Sequence, residues 1–134
     1  ERAAERMRKR HVPDQALGAE RDQRWSDAAQ IYRTALATDG GRADLWLRLA
    51  DVEARLGNAT AVITALQNAA KARPTDAAVF SKLSQAYAVD GHAEAALQAI
   101  DGAVALDPRN AAFLEARATL ATWAGRYDVR TTAR

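Results

Sequence analysis

Shifted by 34 positions, residues 43–76 fall on residues 77–110 with no insertion or deletion. The overlay pairs Trp46 with Phe80, Leu49 with Leu83, Gly57 with Gly91, Leu66 with Ile100, Ala69 with Ala103 and Pro74 with Pro108. A fixed period of this length restricts a chain to stacked supersecondary units, each burying its apolar face against the next. Within residues 77–110, Phe80, Leu83, Ser84 and Tyr87 recur at i, i+3, i+4 and i+7, one stripe of a helix. Gly91 ends that stripe, because a left-handed cap strains any residue with a Cβ by roughly 1 kcal/mol. Ala96, Leu97, Ile100, Ala103, Val104 and Leu106 form a second stripe, which Pro108 closes. Neither helix can bury its stripe alone.

Two weaker copies flank this pair. From Ala111 onward Leu114 takes the Phe80 position, Ala118 that of Ser84 and Gly125 that of Gly91. Upstream, Ala28, Tyr32, Ala35 and Asp39 match Val62, Leu66, Ala69 and Arg73, with Gln23 in place of the turn glycine. The expected organisation is a charged arm or helix end over 1–12, then units at about 13–42, 43–76, 77–110 and 111–134, the last truncated. Helices are predicted at about 14–22, at about 26–38 with Ser26 or the residue before it as cap, and at about 111–124 before a turn at Gly125. All glycines are assigned to turns, and Asp39-Gly40-Gly41 is expected to make a loose joint. Because the chain opens on Glu1 and stops just inside a second helix of its last unit, it is expected to be a segment of a longer protein.

Helix, glycine turn, helix and closing proline at this period resemble the tetratricopeptide repeat. The matching residues are Trp46 and Phe80 early in the first helix, Leu49 and Leu83, the small Ala50 and Ser84, Tyr87, and the second-helix alanines Ala28, Ala69, Ala96 and Ala103. Glu53 in place of the tyrosine and Val62 in place of the first second-helix alanine depart from the pattern. The resemblance implies an all-α, right-handed solenoid of antiparallel helix hairpins, about three to three and a half repeats long. It implies packing rather than any one ligand.

Composition narrows the chemistry. Without cysteine there is no disulfide, thiolate metal site or thiol nucleophile. His11 and His92 fall in separate units, His92 beside a turn glycine, so neither a metal site nor catalysis is expected and no cofactor is called for. Asp51 and Glu53 are two apart on one helix and point to different faces, which disfavours an acid–base pair. No phosphate-binding loop or nucleophile elbow is present. The net charge of +2 comes from the ends: residues 1–10 carry five basic against two acidic side chains and 126–134 three against one, while the rest carry 11 basic and 14 acidic. A body of that balance argues against nucleic acid as the main ligand. No apolar run reaches membrane-spanning length, so direct membrane insertion of this segment is not expected.

What the resemblance implies about function lies on the inner surface lined by the first helices of the hairpins. Carried over position by position, that surface comprises Asp44, Leu47, Arg48, Asp51 and Arg55 from one copy, Ser81, Lys82, Gln85 and Val89 from the next, and Glu115, Thr119 and Trp123 from the last. The expected role is a scaffold binding a protein or peptide in a groove of mixed charge, not an enzyme. A clamp for a terminal carboxylate, as in one subgroup, is disfavoured by Leu47, Arg48 and Asp51 at the corresponding positions, and the RNA-reading pentatricopeptide relatives by the closing prolines and the non-basic body. Residues 121–128, ATWAGRYD, are similar to a segment of the repeat arms of bacterial outer-membrane polysaccharide-export proteins, which implies a periplasmic export assembly. The alternatives are a structural spacer, a self-association module working through the uncapped C-terminal end, or a cytoplasmic adaptor.

Overall fold

Three tight turns set the architecture, and all three use the same hydrogen bonds. Asn58 N–H donates to the Glu53 carbonyl at 3.0 Å, and His92 N–H to that of Tyr87 at 2.9 Å, each closing a six-residue cap across Gly57 (φ 77°) or Gly91 (φ 80°). Arg24 N–H donates to the Ala19 carbonyl at 2.8 Å in the same way, with Gln23 held at φ 60°. The turn geometry therefore survives in the copy that lacks the glycine.

The structure, a computed structural model, describes residues 13–132, with side chains described as far as 125. Its helices are α1 (Asp14–Arg21), α2 (Trp25–Thr38), α3 (Ala43–Arg55), α4 (Ala59–Ala72), α5 (Ala77–Val89), α6 (Ala93–Leu106) and α7 (Ala111–Thr132). No strand occurs among the described residues. Packing runs from each helix to the next in sequence, giving an all-α stack of three hairpins and one further helix. The expected arm over 1–12, with His11, lies outside the described residues.

Small residues let the helices approach. Ala28, Ala69, Ala96 and Ala103 are fully buried, and Ser84 Oγ donates to the Ala96 carbonyl at 2.7 Å, so α5 and α6 meet almost backbone to backbone. A continuous core runs from Ala16 and Ala19 through Tyr32, Leu45, Leu49 and Leu66 to Leu83 and Ala99. Between hairpins, Asp76 caps α5 by accepting from Ala78 N–H at 3.1 Å, and Asn110 Oδ1 accepts from Phe113 N–H at 3.1 Å at the start of α7. The Asp39-Gly40-Gly41 joint has ties of its own. Trp46 Nε1 donates to the Gly40 carbonyl at 2.8 Å, and Arg42 grips Asp44 with two bonds at 2.9 and 2.6 Å. That fork holds the Asp44 carboxyl below the usual carboxylate range and raises the Arg42 guanidinium.

Four expectations need correction. The cap of α2 is Arg24 with no side-chain bond, and both Trp25 and Ser26 lie within the helix. Gly102 is no turn residue: it lies inside α6, where a Cβ would come within 3.2 Å of the Phe80 ring. Gly18 is likewise helical. Leu106, assigned to a packing stripe, is exposed. Finally, α7 runs straight through Gly125. A turn at Gly57 or Gly91 is followed by a 14-residue helix with a buried stripe.

Candidate functional site

The first helices of successive hairpins lie side by side, and what fills the cleft between them is set by a few positions that vary from copy to copy. At the first junction the cleft is closed by its own side chains. Arg48 on α3 donates to the Glu20 carboxylate at 3.4 Å, the same carboxylate accepts from the buried Tyr32 hydroxyl, and the Arg55 guanidinium stacks 5.4 Å from the centre of the Trp25 ring. Burial first, and then the Glu20 carboxylate, push the Tyr32 phenol far above its ordinary range.

One repeat further on, the corresponding residues are Lys82, Ala54, Leu66, Val89 and Ala59. A cation remains, but the carboxylate, the phenol and the indole do not. The result is a cavity of ≈ 470 Å³ between α3, α4 and α5. Its floor and sides are apolar (Ala50, Ala54, Ala59, Val62, Leu66, Ala86, Val89), and Asp51, Asn58, Lys82 and Gln85 stand around it.

Four of the twelve residues expected on the inner surface, Asp51, Lys82, Gln85 and Val89, are therefore brought together at this cavity, with Val89 85% exposed. The others are placed differently. Arg48 and Arg55 are engaged with Glu20 and Trp25, Asp44 is held by Arg42, and Leu47 is half-buried against Ala69, Ala70 and Val79. Ser81 is half-buried on α5, and Glu115, Thr119 and Trp123 are exposed on α7, away from the cavity lining. The apolar lining on α4 was not anticipated. The signal for it is the 34-residue overlay read at its variable positions, where Glu20, Trp25 and Tyr32 shrink to Ala54, Ala59 and Leu66.

Glu53, the residue that departs from the repeat pattern, is buried to 1% exposure and accepts from Arg33 Nη2 at 2.9 Å. His92 is exposed and bonded to Asp90 at 3.0 Å, with its ring edge-on to Tyr87. Among the described residues no cluster of His, Cys, Asp or Glu could hold a metal ion, and no helix is long and apolar enough to cross a membrane.

The family model for the tetratricopeptide repeat matches residues 19–86, across both junctions. This chain belongs to the tetratricopeptide repeat family. No curated protein matches the sequence. Among solved tetratricopeptide repeat structures it is similar to MamA, at 19% identity and a TM-score of 0.75 over 88% of this chain and 69% of that one. It is also similar to the first such domain of Spaghetti (RPAP3) bound to the HSP90 peptide SRMEEVD, at 13% identity and a TM-score of 0.69 over 84% and 89%. A third is the Yersinia enterocolitica type III secretion chaperone SycD in complex with a peptide of the translocator YopD, at 13% identity and a TM-score of 0.64 over 87% and 88%. Identities this low describe a shared tetratricopeptide repeat fold.

Proposed function

We propose that this chain is an interaction scaffold that binds an extended segment of a partner protein along its inner face. The observation that carries the reading is the cavity between α3, α4 and α5, apolar within and rimmed by charges of both signs. Such a shape suits an anchoring side chain, with polar groups left to fix direction. That two structures of similar fold were solved with peptides adds support. A photo-crosslinking residue placed at Gln85, beside the cavity, should capture the partner in cells that make the protein, while one at the exposed Thr64 on α4 should not. Lys82→Glu should lower capture at Gln85 about tenfold with an unchanged circular dichroism spectrum. Equal capture from both positions rejects the inner face.

A second reading, self-association, is favoured by Leu114 and Trp123, each 37% exposed on α7. It requires a sedimentation coefficient that rises with concentration, and a constant monomer removes it. For the setting we infer a periplasmic polysaccharide-export assembly, with the cytoplasm as the alternative; its support is the segment 121–128. Recovery of the protein in the cytosolic fraction would reject it.

A further inference from the structure

We infer that the cavity between α3, α4 and α5 takes from a partner the two groups that the preceding junction takes from its own chain: a side-chain carboxylate for Lys82 and a flat aromatic ring over Ala59, Val62 and Val89. This rests on the inner-face reading above and names the chemistry of its occupant.

The first junction is a filled version of the second. There Arg48 receives the Glu20 carboxylate at 3.4 Å, and the Trp25 ring lies under Arg55. In the second junction Lys82 keeps the cation at the Arg48 position, and no acidic partner for it is found among the described residues. Ala54 stands where Glu20 would supply the carboxylate, and Ala59 where Trp25 would supply the ring. Ala54 and Ala59 both line the opening of ≈ 470 Å³, a volume within the range that holds a large side chain or small ligand. Val89 in place of Arg55 turns the covering cation into an apolar wall, which suits an uncharged ring. Asp51, on the α3 side of the same opening, repels an acid from its own wall and so steers the carboxylate toward Lys82. The occupant is therefore an extended peptide with an acidic residue next to a tryptophan, tyrosine or phenylalanine.

The test uses short Gly/Ser peptides blocked at both ends, so that no terminal charge takes part, with a central Glu-Trp, Lys-Trp or Glu-Ala pair. Binding is followed by amide chemical shifts of the labelled protein. The Glu-Trp peptide should shift Ala59, Val62 and Val89, and each of the other two should bind about tenfold more weakly. Ala54→Glu with Ala59→Trp restores the filling groups of the first junction, so it should abolish these shifts without lowering the melting midpoint. Lys82→Gln, an exposed change that spares the packing, should weaken Glu-Trp binding while leaving Glu-Trp and Lys-Trp alike. Equal affinity of Glu-Trp and Lys-Trp for the parent protein, or no shift at millimolar peptide, overturns the assignment. Shifts elsewhere on the inner face that survive the double substitution overturn it too, yet leave the scaffold reading standing. Shifts confined to Thr60 and Thr64 overturn both.

Discussion

Glu53 and Tyr87 occupy the same place in successive repeats and solve the same problem with different chemistry. Glu53 accepts from Arg33 at 2.9 Å, and Tyr87 Oη accepts from Gln67 Nε2 at 2.7 Å, each bond spanning 20 residues. Removing one partner of the first pair leaves a buried carboxylate without its donor. Arg33→Ala should therefore cost about 2 kcal/mol in chemical denaturation. Arg33→Gln with Glu53→Tyr copies the second pair into the first junction and should restore most of that loss. Tyr32 supplies a pH signature. Its phenol is raised in the folded state by burial and by Glu20, so its contribution is complete below the ordinary phenol value of about 10 and is lost as pH rises beyond it. The melting midpoint should fall as pH is raised above about 10, and fall less steeply in Tyr32→Phe.

Among the elements, the hairpins of residues 43–76 and 77–110 were legible in the sequence because a glycine, a proline and two stripes agree on one phase. The small-residue stripe was equally readable: Ala96 is fully buried with its carbonyl bonded to Ser84. Ala96→Leu should cost roughly 1 to 3 kcal/mol in thermal unfolding, and an unchanged midpoint would contradict this packing. What failed were assignments made from a single residue. Gly125 has the turn residue yet lies within the unbroken α7, whereas Gln23 lacks the glycine and still turns, with α2 burying Ala28, Ala29 and Tyr32 behind it. Tertiary burial decides whether a helix bends back, and one glycine signals only that it can. Gly102 was misread for the same reason, its meaning lying in Phe80 on the neighbouring helix.

Across the whole molecule, stability is a sum over neighbours, so position in the row matters more than local sequence. The amides of α3 to α6, packed on both sides, should exchange most slowly, and those of α1 and α7 faster, in native-state hydrogen exchange. The three bonds at Gly40 and Arg42 should keep the first joint within that gradient, and fast exchange confined to Gly40 and Gly41 would show that they do not hold it. The candidate site was only partly legible at this scale. The repeat pattern names the inward positions, but a cavity arises from differences between copies, and those carry no consensus.

The walls of that cavity belong to separate hairpins, α3 and α4 on one side and α5 on the other. An occupant of the slot therefore touches two successive hairpins together. A ligand seated there is gripped by two neighbours in the row at once, so its hold depends on the step from one repeat to the next and not on either repeat alone.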